Sequence, residues 1–331
     1  MPVEIEAYGP ARATAAQRAR DGIVVGLVNN MPDTALEATE AQFSDLLRAA
    51  AGTRAVQLRL TSFPEVPRGA DARARIARSY WPIETLLAER PEALIVTGTE
   101  PIAPRLADEP YWPRLTALLD WADQHALASI WSCLAAHAAV EHLDGITRQR
   151  LAEKRCGVYS HSLLAGHPLL RGVAAPLPMP HSRWNDLPVE SLRAARYAIL
   201  SSSPETGADA FVRHARSLML FFQGHPEYDD TTLLKEYRRD VGRYLNGQQA
   251  HYPTLPYGYL SARASVLLGE FRERALAQRA PELIHQFPFA AVAAALSNSW
   301  RPAAVMIYRN WLDFIVAATT RRAEEVSSAG S

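Results

Sequence analysis

Four short runs of consecutive apolar residues constrain this chain more than any other feature: Gly22-Ile-Val-Val-Gly-Leu-Val, Ala93-Leu-Ile-Val, Ser129-Ile-Trp and Ser217-Leu-Met-Leu-Phe-Phe. A β-branched run with no polar alternation belongs to a strand buried on both faces. A fifth stretch, Val56-Gln-Leu-Arg-Leu-Thr-Ser-Phe, also reads as a strand. Helical sequence separates these runs. Leu36, Phe43, Leu46 and Leu47 recur at helical spacing within 35–51, a helix is expected around 83–89, and 112–125 is amphipathic. Strands alternating with helices predict an α/β fold, a doubly wound and mostly parallel sheet. Such sheets gather reactive groups just past the carboxyl ends of their strands, where Gly98, Cys133 and His225 fall.

The remaining segments are read as follows. Residues 1–20 are Ala- and Arg-rich without periodicity, a loose arm, and 21–250 form the catalytic domain. A polar, Arg-rich stretch covers 67–79, a helix runs over 135–143, and 156–204 holds short strands and Pro-rich turns. Asp229 or Asp230 caps a helix carrying Leu233, Leu234 and Tyr237. Residues 251–331 form a helical extension that closes on the same domain or on a second subunit. Its apolar segment, 302–316, is interrupted by Arg309 and Asp313, so it is a core or interface helix rather than a membrane span. Lys+Arg and Asp+Glu cancel at 35 each, which leaves no field of one sign for nucleic acid or an anionic membrane. No signal peptide is expected at the amino end, and two cysteines are too few for a disulfide scaffold. Both points fit a reducing cytoplasm.

Chemistry concentrates in two segments. Cys133 ends one apolar run where a small-residue helix begins, and the amino end of a helix favours negative charge. By itself, a cysteine beside Trp131 and Leu134 reads as a small buried apolar residue. The second segment changes that reading. Gly224-His225-Pro226-Glu227 places an imidazole and a carboxylate at another strand end, and a thiol, a base and an acid are the parts of a Cys-His-Glu catalytic site. His137, His142 and Cys156 lack this context and read as packing or surface residues. No histidine or cysteine pair has zinc-ligand spacing, so no metal is expected. Neither G-x-G-x-x-G nor a P-loop occurs, so no bound nucleotide cofactor is expected.

Ile95-Val-Thr-Gly98, Tyr111-Trp-Pro113, Cys133, Gly145-Ile146, Lys154, Gly157-Val-Tyr159, Pro180-His-Ser-Arg183, Gly224-His-Pro-Glu-Tyr-Asp229 and Arg239-Asp240 share an order and spacing that resembles the homoserine O-succinyltransferase family. Arg309-Asn-Trp-Leu-Asp-Phe resembles that family's closing helix, so the likeness spans most of 22–317. It implies a class I glutamine-amidotransferase-like (flavodoxin-like) fold with added C-terminal helices. It also implies a ping-pong acyl transfer with acyl-CoA as co-substrate, serving methionine and sulfur amino-acid synthesis, and a homodimer. On this pattern Cys133 carries the acyl group, His225 deprotonates the incoming hydroxyl and Glu227 supports His225. Lys154, Ser182 and Arg239 contact substrate. Backbone N–H groups of Leu134 and Thr99 form the oxyanion hole.

One departure lies after Met31-Pro32, where Asp33-Thr34 stands in place of the family's lysines. Another lies at the position that separates succinyl from acetyl users as glycine or glutamate. It reads Ile102, with Glu100 nearby. The missing glutamate favours succinyl-CoA over acetyl-CoA. Three alternatives stay open: serine as acceptor, glutamine amide transfer on the same fold, and a non-catalytic binding protein. Glutaminases place glycines around the nucleophile, whereas this chain has Trp131-Ser132-Cys133-Leu134-Ala135.

Overall fold

In the computed structural model, which describes residues 3–8, 22–164 and 166–329, the apolar runs form the middle of an eight-stranded sheet. Its first strands are β1 (Val3–Ile5), β2 (Ile23–Val28), β3 (Val56–Thr61), β4 (Ala93–Val96) and β5 (Ala128–Ser132). Then follow β6 (Gln149–Leu163), β7 (Leu177–Asp186), β8 (Ala198–Ile199), β9 (Ser201–Ser203), β10 (Gly207–Ala208), β11 (Ala210–His214) and β12 (Leu218–Phe222). The order β1-β3-β2-β4-β5-β12-β11-β8 is parallel from β1 to β12 and antiparallel at the β11 and β8 edge. A smaller antiparallel sheet, β10-β9-β6-β7, stands beside it.

The helices are α1 (Asp33–Ala51), α2 (Ala70–Ser79), α3 (Ile83–Ala88), α4 (Trp112–His125), α5 (Leu134–Asp144), α6 (Val189–Ala194), α7 (Thr232–Leu245), α8 (Ala262–Ala277), α9 (Phe289–Ala293) and α10 (Arg301–Ala329). Period-two alternation sorts the strand residues between two cores. Leu27, Ile95, Ile130, Leu220 and Phe222 face α1 and α10, which contribute Phe43, Leu47, Tyr308, Trp311 and Ile315. Val28, Leu94, Val96, Trp131 and Phe221 face α4 and α5. The sheet is thus covered on both sides, the doubly wound arrangement expected from the runs. A third cluster joins α7 to α8 through Leu233, Tyr237, Leu268 and Phe271.

Several details differ from the sequence reading. Val3–Ile5, within the expected loose arm, adds an edge strand parallel to β3, and residues 9–20 of that arm lie outside the described residues. The Arg-rich stretch contains a helix, α2, fastened to α1 where Arg75 grips Glu40 at 3.0 and 2.6 Å. α7 begins after Thr231, but Asp229 still caps the turn by accepting from the N–H and hydroxyl of Thr231 and the hydroxyl of Thr232. α10 lies on its own sheet, where Asp313 pairs with Arg54. Among the described residues, no helix is long and apolar enough to cross a membrane.

Trp311 is fully buried between α10, α1 and the sheet. Trp311→Ala is expected to cost about 3–5 kcal/mol, the range for truncating a buried aromatic, and Trp311→Phe much less. Denaturant unfolding of both variants measures the difference.

Candidate active site

Cys133 is the residue at which β5 stops and α5 starts. Its backbone N–H still reaches across to Phe222 O at 2.7 Å, and its carbonyl accepts from His137 N at 3.2 Å. Between these two bonds the chain turns sharply, with φ 52° and ψ −111° at Cys133. A non-glycine residue holds that conformation only where its surroundings impose it, as at the strand-to-helix elbow of other nucleophiles. Leu134 begins the helix, and its N–H has no hydrogen-bond partner among the described residues, nor has that of Thr99. These are the two groups expected to receive an oxyanion. The loop carrying Thr99 lies directly on the helix start. A Cβ on Gly98 would fall 2.5 Å from Leu134 Cβ and 3.2 Å from Leu134 N, so only glycine permits this approach.

His225 reaches the same place through its neighbour in the sheet. β5 and β12 pair in parallel with Ser132 opposite Phe222, so the chain leaves both strands at one level. The turn after β12 is held at every residue. Gln223 Nε2 donates to Ala208 O at 2.7 Å, and Gly224 N donates to Asp209 Oδ1 at 3.0 Å. His225 N donates to Pro180 O at 2.8 Å. A Cβ on Gly224 would fall 2.6 Å from Met179 Cγ, so this turn also needs glycine. The imidazole stacks on Tyr228 with centroids 4.2 Å apart, and its Nδ1 meets Glu227 Oε1 at 2.8 Å. That leaves the far edge of the ring free to interact with the Cys133 sulfur, which lines the same cavity and favours positive charge on the ring. Burial opposes charge on His225, but the Glu227 carboxylate and the Cys133 sulfur outweigh it and hold the ring's pKa well above its ordinary value.

These three residues open onto a cavity of about 330 Å³ whose walls include Lys154, Ser182, Arg239, Thr99, Leu134 and Glu100. The structure thus brings the expected substrate residues to the expected triad, with one exception. Ile102 is 66% exposed and is not among the lining residues, whereas Glu100 lines the cavity and pairs with Arg243 at 3.0 Å. Met31 and Pro32 also reach the cavity.

Sequence reasoning missed Glu236. It is largely buried in the cavity wall, accepts from Ser182 Oγ and from Tyr228 OH (2.6 Å), and lies 3.6 Å from Lys154 and 3.9 Å from Arg239. Burial alone would raise its pKa, but Lys154, Arg239 and the two hydroxyl donors prevail and lower it. Lys154 in turn donates to Asp240 at 2.6 Å. One sequence signal was available: Glu236, Arg239, Asp240 and Arg243 form one stripe at helical spacing downstream of the His-Pro-Glu.

A second titratable group lies behind the turn. His161, His181 and Asp209 are fully buried and converge within 4.8 Å, a meeting that linear spacing did not reveal. Arg183 Nε, which can only donate, reaches His181 Nδ1 at 3.2 Å. The proton of His181 therefore sits on Nε2, facing His161 Nε2 at 3.3 Å, while His161 Nδ1 donates to Tyr159 O at 3.1 Å. A metal-bound histidine needs a proton on its outer nitrogen, so this donor set fits a hydrogen-bonded chain of neutral rings rather than a cation. Burial lowers the pKa of His181 well below its ordinary value, in keeping with that chain. His137 is a packing residue too, its Nε2 2.9 Å from Gln223 Oε1 and its pKa pushed down to about 3 by burial. His142 is on the surface beside Asp120, and burial pushes the Cys156 thiol up to about 12.

The sequence profile of the homoserine O-succinyltransferase family matches residues 7–322. The homoserine O-succinyltransferase of Methylorubrum extorquens is 48% identical over 291 residues, 88% of this chain and 86% of that protein. The homoserine O-succinyltransferase of Rhodopseudomonas palustris is 45% identical over 310 residues, covering 94% and 92%. Among solved structures, a glutamine amido transferase from Methylobacillus flagellatus aligns with a TM-score of 0.52 at 14% identity, over 89% of this chain and 95% of that one. A glutamine amidotransferase from Thermotoga maritima aligns at 0.51 and 9% identity, over 89% and 99%. These last two likenesses concern the fold alone.

Glu227→Gln removes the largest influence raising the His225 pKa, so the ring's titration, followed by NMR, should move to lower pH. Because the folded pKa is raised, the His225–Glu227 pair stabilises the fold fully below about pH 6.5, the unfolded value, and that contribution fades as pH rises through the folded value. The melting-temperature gap between the native protein and Glu227→Gln should therefore be wider at pH 6 than at strongly alkaline pH.

Proposed function

This chain belongs to the homoserine O-succinyltransferase family, and on that premise we propose that it transfers a succinyl group from succinyl-CoA to the hydroxyl of L-homoserine through a thioester on Cys133. The observation that carries the reading is the meeting of Cys133 with the His225–Glu227 pair at two adjacent parallel strand ends. The Cys133 thiolate attacks the thioester carbonyl, and the N–H groups of Leu134 and Thr99 receive the resulting oxyanion. The carbon–sulfur bond to CoA breaks, and the departing thiolate takes the proton from His225. Cys133 now carries the succinyl group and no charge. One of the two influences that raise the His225 pKa has gone, and the neutral ring becomes a base. It accepts the proton of the acceptor hydroxyl as that oxygen attacks the Cys133 thioester. The ester departs, and thiolate and imidazolium are restored.

The cavity suits an amino acid. Arg239 keeps 48% of its side chain exposed and offers a fork for a carboxylate, while the ionised Glu236 offers a partner to an ammonium group. Lys154 ties Glu236 to Asp240 and holds both in place. Homoserine and succinyl are favoured over serine and acetyl because the relatives carry that name. The family resemblance extends to a homodimer, which sedimentation at micromolar concentration tests.

Brief incubation with succinyl-CoA and no acceptor should add a hydroxylamine-labile succinyl mass at Cys133, read by intact-protein and peptide mass spectrometry. Acetyl-CoA should add less. Cys133→Ala should abolish the adduct and lower turnover with homoserine by about 10³-fold or more, as when a covalent nucleophile is removed. No adduct with either donor, together with ammonia release from glutamine, would replace this reading with amide transfer.

A further inference from the structure

Beyond the loop after Gly98 a second cleft opens, about 720 Å³ against about 330 Å³ for the reactive cavity. Its walls carry three guanidinium groups, Arg105, Arg148 and Arg150, against one carboxylate, Glu141. Arg148 is half-buried, yet among the described residues it has neither a hydrogen bond nor an ion pair. Burial lowers its pKa, against opposing influences from Tyr111, Glu141, Glu109 and the Cys133 sulfur. Arg105 has, among the described residues, one exposed contact with Asp108 at 3.4 Å, and Arg150 lies over the Trp184 ring at 4.4 Å. A guanidinium withdrawn from water without a partner is costly, and an anion removes that cost.

Two features join this cleft to the reaction. Pro101 is a wall of both cavities, and Trp184, beneath Arg150, lines the reactive one. Acyl-CoA brings three phosphate groups and an adenosine, more than a cavity of about 330 Å³ houses beside the acyl chain and the pantetheine arm. We infer that the cleft of Arg105, Arg148 and Arg150 binds the phosphorylated nucleotide end of the acyl-CoA donor, with the pantetheine arm passing over Pro101 and Trp184 to Cys133. The assignment rests on the acyl-CoA reading above. A rival basic groove of about 470 Å³ carries Lys235, Arg238 and Arg239 on α7. Two of its three cations are already paired, Lys235 with Asp229 at 3.4 Å and Arg239 with Asp240 at 3.2 Å. It therefore has less to offer a phosphate.

The test compares donors with and without the nucleotide. Arg105→Glu, Arg148→Gln and Arg150→Glu, each with an unchanged melting temperature, should raise KM for succinyl-CoA about tenfold or more while kcat/KM with succinyl-pantetheine stays within about threefold. Calorimetry with desulfo-CoA and with adenosine 3′,5′-bisphosphate should show a matching loss of affinity, and Arg238→Glu should show none. Equal losses with both donors would overturn the assignment, since the arginines would then act on the acyl group or on the fold. Loss confined to Arg238→Glu would move the nucleotide to the other groove and overturn it as well. The two proposals fail separately. If Cys133 takes up succinate but desulfo-CoA binds all three variants normally, the cleft is wrong and acyl transfer stands. If desulfo-CoA binding is lost only in the cleft variants and no acyl group ever reaches Cys133, the cleft stands and acyl transfer fails.

Discussion

The parallel pairing of β5 with β12 is the constraint on which the site depends. Both strands are buried throughout, so their side chains face two different cores in strict alternation. A slip of one residue would present Trp131 and Phe221 to the wrong layer, and the packing penalty fixes the register. With Ser132 opposite Phe222, the residues that follow leave the sheet side by side. The hydrogen bond from Cys133 N to Phe222 O continues the ladder one step beyond the strands and helps impose the elbow. The thiol and the imidazole meet because two apolar strands can pair in only one way.

Around that meeting point, the buried charges are matched by partners from other elements. Glu227 faces His225, Glu236 faces Lys154, Ser182 and Tyr228, and Asp209 accepts from Ser201 and Gly224 N. A carboxylate withdrawn from water persists in ionised form only with such partners, and the partners are then fixed as well. The result is a cavity whose dipoles are oriented before any ligand arrives, the condition under which electrostatic stabilisation of a developing charge is most effective. His181, one residue along β7 from Ser182, carries the opposite sign of pKa shift. Both rings are buried, but the Glu227 carboxylate and the Cys133 sulfur overcome that burial at His225, whereas at His181 burial prevails and Arg183 adds to it.

Much of this was legible in the chain. The apolar runs gave the central strands and the two-sided burial, and the Cys-then-His-x-Glu arrangement at strand ends pointed to side chains that line one cavity, because both signals are local. Other features were hidden for identifiable reasons. α2 carries little apolar surface, and its anchor is the grip of Arg75 on Glu40 of another helix. Glu236 sat inside a charged run that reads as a solvated face until Lys154, Ser182 and Tyr228 are brought against it. Ile102 was assigned a donor role by counted spacing, but the loop turns so that Ile102 N and Ala103 N both donate to buried Glu109, which leaves the Ile102 side chain in solvent and Glu100 at the cavity.

The amino-acid sequence alone determined the α/β class, the buried parallel strands and which thiol, imidazole and carboxylate stand at strand ends, since these follow from composition and period over a few neighbouring residues. Tertiary structure alone decided the left-handed turn at Cys133, the raised pKa of His225, the role of Glu236 as a hub and the lack of a partner for Arg148 among the described residues. Each of these is a property of a gap between groups far apart in the chain. Coulomb energy and desolvation depend on distances across that gap, and those distances exist only once the sheet has closed.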